Sequence, residues 1–142
     1  MAIREAFVDD IPALMAMSGR FHAASPWRDI PVDPERLEES LFGFITGEHS
    51  AVFVTEALDG GIGMIAAPIY FSHAWAAQEV FWWCESPRDA LGLLAAAEGW
   101  AAEHGAEVMS MIRLDGLNDE QMHRLYTRRG YAPTEHTYMR SL

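Results

Sequence analysis

The sequence has a single cysteine, Cys84. That excludes an internal disulfide and suits a reducing compartment, so a cytoplasmic location is expected. Basic side chains are also scarce: ten against 21 acidic ones, for a formal net charge of −11. This balance disfavours nucleic acid or anionic lipid held through a broad basic surface. It suits a cationic partner such as an amine, although an acidic balance is also ordinary for a soluble protein. No uninterrupted apolar stretch reaches the length of a membrane span. The opening MAIREAFVDD lacks the basic-then-apolar pattern of a leader. No two of the six histidines are spaced His-x-x-x-His and Cys84 has no cysteine partner, so no metal centre is expected. A Gly-x-Ser-x-Gly elbow is missing, which leaves a serine hydrolase without support. Repeats, low-complexity tracts and linkers are missing too, and one domain over residues 1–142 is expected.

Half of the residues are hydrophobic and 11% are aromatic, a composition that builds a core. The stretch around which the rest is arranged runs over residues 79–105. The bulky apolar run at 79–84 suits a strand covered on both faces. Ser86-Pro87-Arg88-Asp89 then reads as a helix start, with a serine N-cap, proline at the first position and an acidic residue three after the cap. Leu91, Leu94, Ala95 and Ala101 would share one side of that helix, and Gly105 would end it. A strand running into a helix N-terminus presents free N–H groups and a positive dipole end, a place to hold an anion such as a phosphate.

The remaining elements follow from the same signals. A first strand is expected over residues 2–8. A helix capped by Asp9 or Asp10 follows, with Ile11, Leu14, Met15, Ser18 and Phe21 on one face. Residues 22–29 read as a loop. Asp33-Pro34 restarts a helix carrying Leu37, Leu41, Phe44 and Ile45, stopped by Gly47. Strands at 51–57 and 62–71 flank the Asp59-Gly60 turn. A further strand is expected over 107–114, then a helix with a capping box from Asn118 to Gln121, and a final extended segment over 131–142. The order is β-α-α-β-β-β-α-β-α-β, an α/β (α+β) arrangement with a mixed sheet, antiparallel first and containing one parallel pair.

This order resembles the GNAT superfamily of acyl-coenzyme A-dependent N-acyltransferases, in its short single-domain bacterial and phage form. Ile3-Arg4-Glu5-Ala6 followed by Asp10-Ile11-Pro12-Ala13-Leu14 resembles the family's first strand and helix. The strand at 79–84 with the helix ending Ala97-Glu98-Gly99-Trp100-Ala101 resembles its cofactor-binding segment. Leu125-Tyr126-Thr127-Arg128-Arg129-Gly130-Tyr131 is similar to the late Leu-Tyr…Gly-aromatic motif, the most specific of the three. The resemblance covers essentially the whole chain. It implies that the central strand, splayed open by a bulge, holds the thioester and pantetheine of acetyl-CoA, while the next turn holds the pyrophosphate. Trp82, Trp83, Cys84, Ser86, Arg88, Asp89, Ala90 and Gly92 are the cofactor-binding candidates on this basis. The sequence departs from the family at that turn, which is shorter and keeps only Gly92 of its glycines, with Asp89 placing a negative charge where the pyrophosphate would lie.

The resemblance also implies roles for individual side chains. Tyr126 matches the tyrosine that protonates the departing thiolate; otherwise it is a half-buried aromatic packed on Tyr131. Glu79 stands where many members carry the carboxylate that takes the amine's proton; otherwise it is a solvated strand start. His22, Trp27, Tyr70 and His73 would surround the acceptor, with surface decoration as the simpler reading of each. Trp27, Trp75, Trp82, Trp83 and Trp100 read as core and rim packing. Cys84, inside an apolar strand, reads as an inert thiol. Glu35, Glu38 and Glu39, with Asp29 and Asp33, read as a solvated acidic face that would attract a cation if it walled the acceptor cleft. Two functions follow. One is an N-acetyltransferase moving acetyl from acetyl-CoA to a primary amine, on a small molecule or a peptide, by direct attack. The other is a non-catalytic binding or regulatory module of the same fold that has lost the pyrophosphate loop, and this second reading accommodates a homodimer.

Overall fold

The computed structural model describes residues 3–142; the expected first strand began at Ala2, which lies outside them. The chain runs through β1 (Ile3–Glu5), a 3-10 turn (Val8–Asp10), α1 (Ile11–Ala24), α2 (Pro34–Thr46), β2 (Ser50–Thr55), β3 (Gly60–Pro68), β4 (Trp75–Cys84), α3 (Pro87–Glu103), β5 (Ala106–Ser110) and α4 (Asp119–Arg128). The five strands form one mixed sheet in sequence order. β1 to β4 pair antiparallel, and β4 and β5 are parallel. The one parallel contact is the pair joined through α3, since parallel neighbours need a crossover.

Each helix begins where the sequence leaves backbone donors to be satisfied. Asp33 caps α2 by accepting from the N–H groups of Glu35 and Arg36. Asp10 is used differently. Its carboxylate accepts from Phe7 N at 2.7 Å and pairs with Arg4, which fastens β1 to the start of α1. The serine expected to cap α3 occupies the N-cap position, but its side chain makes no capping bond. The expected capping box at Asn118 does not form. Asn118 sits in the left-handed region with φ 55°, and it is Asp119 that accepts from Gly116 N.

The sheet carries hydrophobic packing on both faces. On one, Ile11, Leu14, Met17 and Leu41 of α1 and α2 pack with Val52 and Val54, joined by Phe81 and Trp83. On the other, Leu93, Ala97 and Ala101 of α3 pack with Ile62, Met64 and Ala77, joined by Trp82 and Cys84. The buried stripe of α3 therefore includes Leu93, and the expected Leu91 faces solvent instead.

Three further expectations change. α1 continues through His22–Ala24, where no helix breaker precedes Ser25-Pro26. β4 starts at Trp75, earlier than the apolar run, because its pairing with β3 and β5 holds Trp75 to Gln78 extended. β5 ends at Ser110, and residues 131–142 join no strand.

Candidate functional site

The site is built where β4 leaves β5. The register between the two strands runs from Trp75↔Ala106 to Gln78↔Ser110 and stops there. Beyond Gln78, β4 remains paired with β3 on one side only. Across from that point, the β3–β4 register shifts: Met64 faces Glu79 and Gly63 faces Phe81, so Val80 is an extra residue. This is a β-bulge, which bends its strand and inverts the alternation beyond it. Ala77, Trp82 and Cys84 pack on the α3 side, and Phe81 and Trp83 pack on the α1 side. Gly63 opposite the bulge accommodates this, because a Cβ there would lie 2.4 Å from the Phe81 ring.

Glu79 is the last β4 residue before the bulge. Its carboxylate is 6% exposed, and Oε1 accepts from Ile112 N at 2.9 Å. Burial raises its pKa from 4.5 to about 7, while the Ile112 bond pulls the other way. The expectation of a solvated strand start is therefore overturned. The same residue, Ile112, is held from its other end: the Tyr126 hydroxyl donates to Ile112 O at 2.8 Å. Tyr126 is buried, packs near Trp82 and Tyr131, and has its phenol pKa pushed up by burial first and by Glu79 and Tyr131 next. Glu79 and Tyr126 thus grip the N–H and the C=O of one residue in the segment that follows β5, supplying bonds where the β4–β5 ladder has ended. Ile112 was not singled out by sequence. Its place inside the strand expected over 107–114 gave no sign of a backbone-only role, because that strand ends at Ser110.

The late motif is anchored on α3. The Glu98 carboxylate accepts from Arg129 and from the Tyr131 hydroxyl, the latter at 3.0 Å. Gly130 takes φ 90°, the left-handed geometry that lets the chain leave α4 toward Tyr131. Glu98 positions Tyr131, and its place in the resembled helix gave no hint of that contact.

The strand–helix junction lies at the Cys84 end of β4. A depression of about 610 Å³ there is lined by Thr55, Glu56, Ala57, Ser86, Pro87, Arg88 and Asp89. Neither Trp82 nor Trp83 lines it; their indole nitrogens are buried without a hydrogen-bond partner among the described residues. No side chain caps α3, so the backbone N–H groups of Arg88 and Asp89 are not taken by Ser86 or Asp89 carboxyl or hydroxyl oxygens. Arg88 joins no salt bridge among the described residues. These donors and the helix dipole fit a phosphate group, with Glu56 and Asp89 opposing it. Ala90 N is committed to Ser86 O within the helix. Gly92 faces Ile3 of β1, where a Cβ would come to 3.0 Å, so its smallness serves helix–sheet packing. The Cys84 thiol donates to Ser86 O, and burial raises its pKa, which fits an inert thiol.

The four acceptor-site candidates are not gathered in one place. Phe21 packs edge-on against Trp83 and Arg20 pairs with Glu85, which puts the end of α1 beside the Cys84 end of β4. His22 belongs to that last helical turn, with Nε2 2.7 Å from Ile30 O, and Trp27 follows, half exposed. Tyr70 and His73 lie on the β3–β4 connection at the opposite end of β4, and Tyr70 is 98% exposed. A ten-residue strand is about 30 Å long, so the two pairs cannot share one small acceptor. Among the described residues, no three His, Cys, Asp or Glu side chains gather as a metal site, and no helix is long and apolar enough to cross a membrane.

No family model matches the sequence, and no curated protein matches it. Solved structures do match in fold. An Arthrobacter sp. FB24 protein, provisionally named an acetyltransferase, aligns with TM-score 0.78 and 22% identity over 100% of this chain and 96% of its own. An aminoglycoside acetyltransferase from an uncultured soil metagenomic sample, solved with sisomicin, aligns with TM-score 0.72 and 16% identity over 99% and 95%. A Bacillus halodurans C-125 transcriptional regulator aligns with TM-score 0.78 and 15% identity over 99% of each chain. The mixed sheet, the bulged central strand and these alignments together show that the chain has the fold of the GNAT-type acetyltransferases.

Proposed function

We propose that the chain is an acyl-coenzyme A-dependent N-acetyltransferase acting on a primary amine. The observation that carries this reading is the parting of β4 from β5 at a bulge, with Glu79 just before it. The unpaired edge of β4 beyond that point offers backbone donors to an extended ligand, and the α3 start with Arg88 offers donors to its phosphates. Acetyl-CoA would supply an acyl group already activated as a thioester; the proton movements belong to the chain. Glu79, with a pKa of about 7, is ionised in part at neutral pH and takes a proton from the amine. The Tyr126 phenol, its pKa raised by burial, would donate its proton to the thiolate that departs when the amine takes the acyl group, from the hydroxyl now turned to Ile112 O. A small-molecule amine is the preferred acceptor class, in line with the aminoglycoside acetyltransferase that shares the fold. A cytoplasmic location goes with a diffusible acyl donor.

A second reading rests on three observations: the Tyr126 hydroxyl is engaged, Glu56 and Asp89 oppose an anion, and a transcriptional regulator has the same fold. It makes the chain a non-catalytic module. Acetyl-CoA titrated into the pure protein decides. The transferase reading expects a rise in Tm that grows with the logarithm of ligand concentration, and free thiol released when amines are added. A Tm unmoved at saturating acetyl-CoA overturns it in favour of the module.

A further inference from the structure

No spacing in the sequence announces a histidine pair, yet the fold brings two histidines together. His49, on the turn before β2, and His104, the C-cap of α3, stand 55 positions apart, with His49 Nδ1 2.9 Å from His104 Nε2. Elements on three sides hold the rings there. His49 O accepts from Ala66 N of β3 at 2.8 Å, and the His49 ring centroid lies 4.9 Å from that of Trp75 at the head of β4. The His104 ring stacks on Trp100, one turn earlier in α3, at 4.9 Å and 27°. Solvent reaches both imidazoles, His49 being exposed and His104 half-buried. Such a contact places one proton between two ring nitrogens. A metal ion takes its place once the donating ring carries its proton on the other nitrogen, a change of tautomer that neutral imidazole allows. Two nitrogens each about 2.0–2.1 Å from one ion and at right angles are about 2.9 Å apart, the separation already present, whereas a tetrahedral angle needs about 3.4 Å. The surroundings favour positive charge. His104 closes α3 at the negative end of its dipole, Glu48 and Glu103 adjoin the two histidines in the chain, and the net charge is −11.

We propose that His49 and His104 form a binding site for a late first-row divalent metal ion of the copper(II) or nickel(II) kind, with water completing the coordination. Neighbouring positions on a tetragonal ion match the pair as it stands, and imidazole suits these metals. Magnesium and calcium select oxygen and gain nothing here. The rings are already held by Trp75, Trp100 and Ala66, so little ordering remains when the ion binds. Bound there, the ion ties the chain just before β2 to the end of α3. The 17 residues of α3 span about 25 Å, which separates this pair from the depression at the α3 start. This inference does not rest on the acetyltransferase reading.

Trp75 and Trp100 supply the readout, because copper(II) held beside an indole quenches its emission. Copper(II) chloride is titrated into the full chain without an affinity tag. The expected quenching saturates at one ion per chain, zinc(II) competes more weakly, and magnesium leaves the emission unchanged. His49→Ala and His104→Ala each weaken binding at least about tenfold, the loss that removing even an outer partner of a metal ligand brings. His123→Ala, on α4, leaves the affinity as it was. Quenching that never saturates, a double variant that binds copper as the parent does, or a loss in His123→Ala as large as in the other two overturns the proposal. If a variant does not fold, electron paramagnetic resonance of the copper-loaded full chain decides. Couplings from two imidazole nitrogens uphold the site, and one such nitrogen or none sinks it.

Discussion

Glu79 shows how one residue's surroundings set its chemistry. A carboxylate on an open strand end would titrate near 4.5; buried here, it titrates near 7. The folded state therefore holds the proton more tightly than the unfolded chain does. Stability is greatest below the unfolded value, falls as pH rises from about 4.5 to about 7, and is level above that. Glu79→Gln keeps an oxygen for Ile112 N and removes the charge. Urea unfolding of both proteins across this window is expected to show the variant gaining on the parent as pH rises, by an amount that saturates above pH 7 at roughly 3 kcal/mol. A difference independent of pH means the carboxylate titrates normally. If the transferase reading holds, the same substitution lowers turnover about a hundredfold or more and removes the rise in rate around neutral pH. Gain in stability with loss of activity is the signature of a buried group kept for chemistry.

At the scale of elements, the bulge in β4 is the feature on which the site depends. Gly63→Ala places a methyl group against the Phe81 ring, within 2.4 Å to 3.0 Å of three ring atoms. Phe81 is on the α1 face because Val80 is extra, so moving it disturbs the bulge itself. The expected cost is about 1–3 kcal/mol, read as a lower Tm, with weakened acetyl-CoA binding. Gly99→Ala, on an open helix face with nothing within 4 Å, is the control expected to leave both unchanged or slightly raise Tm. The bulge could not be read from the chain. A run such as EVFWWC is apolar on both faces, so an inverted alternation leaves no trace in it. Glu79 was legible because it is a lone carboxylate at the head of that run, but its burial depends on residues 33 positions away. Proline and aspartate signals located the starts of α1, α2 and α3 because they act within one turn. The caps at Ser86 and Asn118 failed because spacing permits a capping bond without forming it. The closing strand failed too: residues 131–142 have the composition of a strand and pair with no strand among the described residues.

For the whole molecule, charge sets how ligands arrive. A net charge of −11 repels a phosphate-bearing donor and attracts an ammonium acceptor. The local donors at the α3 start must work against the field of the rest of the surface, including Glu56 and Asp89. Salt screens such long-range terms over about 10 Å at 0.1 M. Calorimetric titration at low and moderate ionic strength should therefore separate the two ligands. Acetyl-CoA affinity is expected to hold or improve as salt rises, because screened repulsion offsets the weakening of Arg88's attraction. Affinity for a polycationic amine should fall over the same range. Asp89→Asn is expected to tighten acetyl-CoA binding, and to do so most at low salt, because it removes an opposing charge in the first turn of α3. A steep loss of acetyl-CoA affinity with salt in the parent would mean that a basic patch, and not backbone donors at a helix end, holds the phosphates. Among the described residues Arg88 is the one arginine lining the depression and joins no salt bridge, so Arg88→Ala would then abolish binding instead of weakening it.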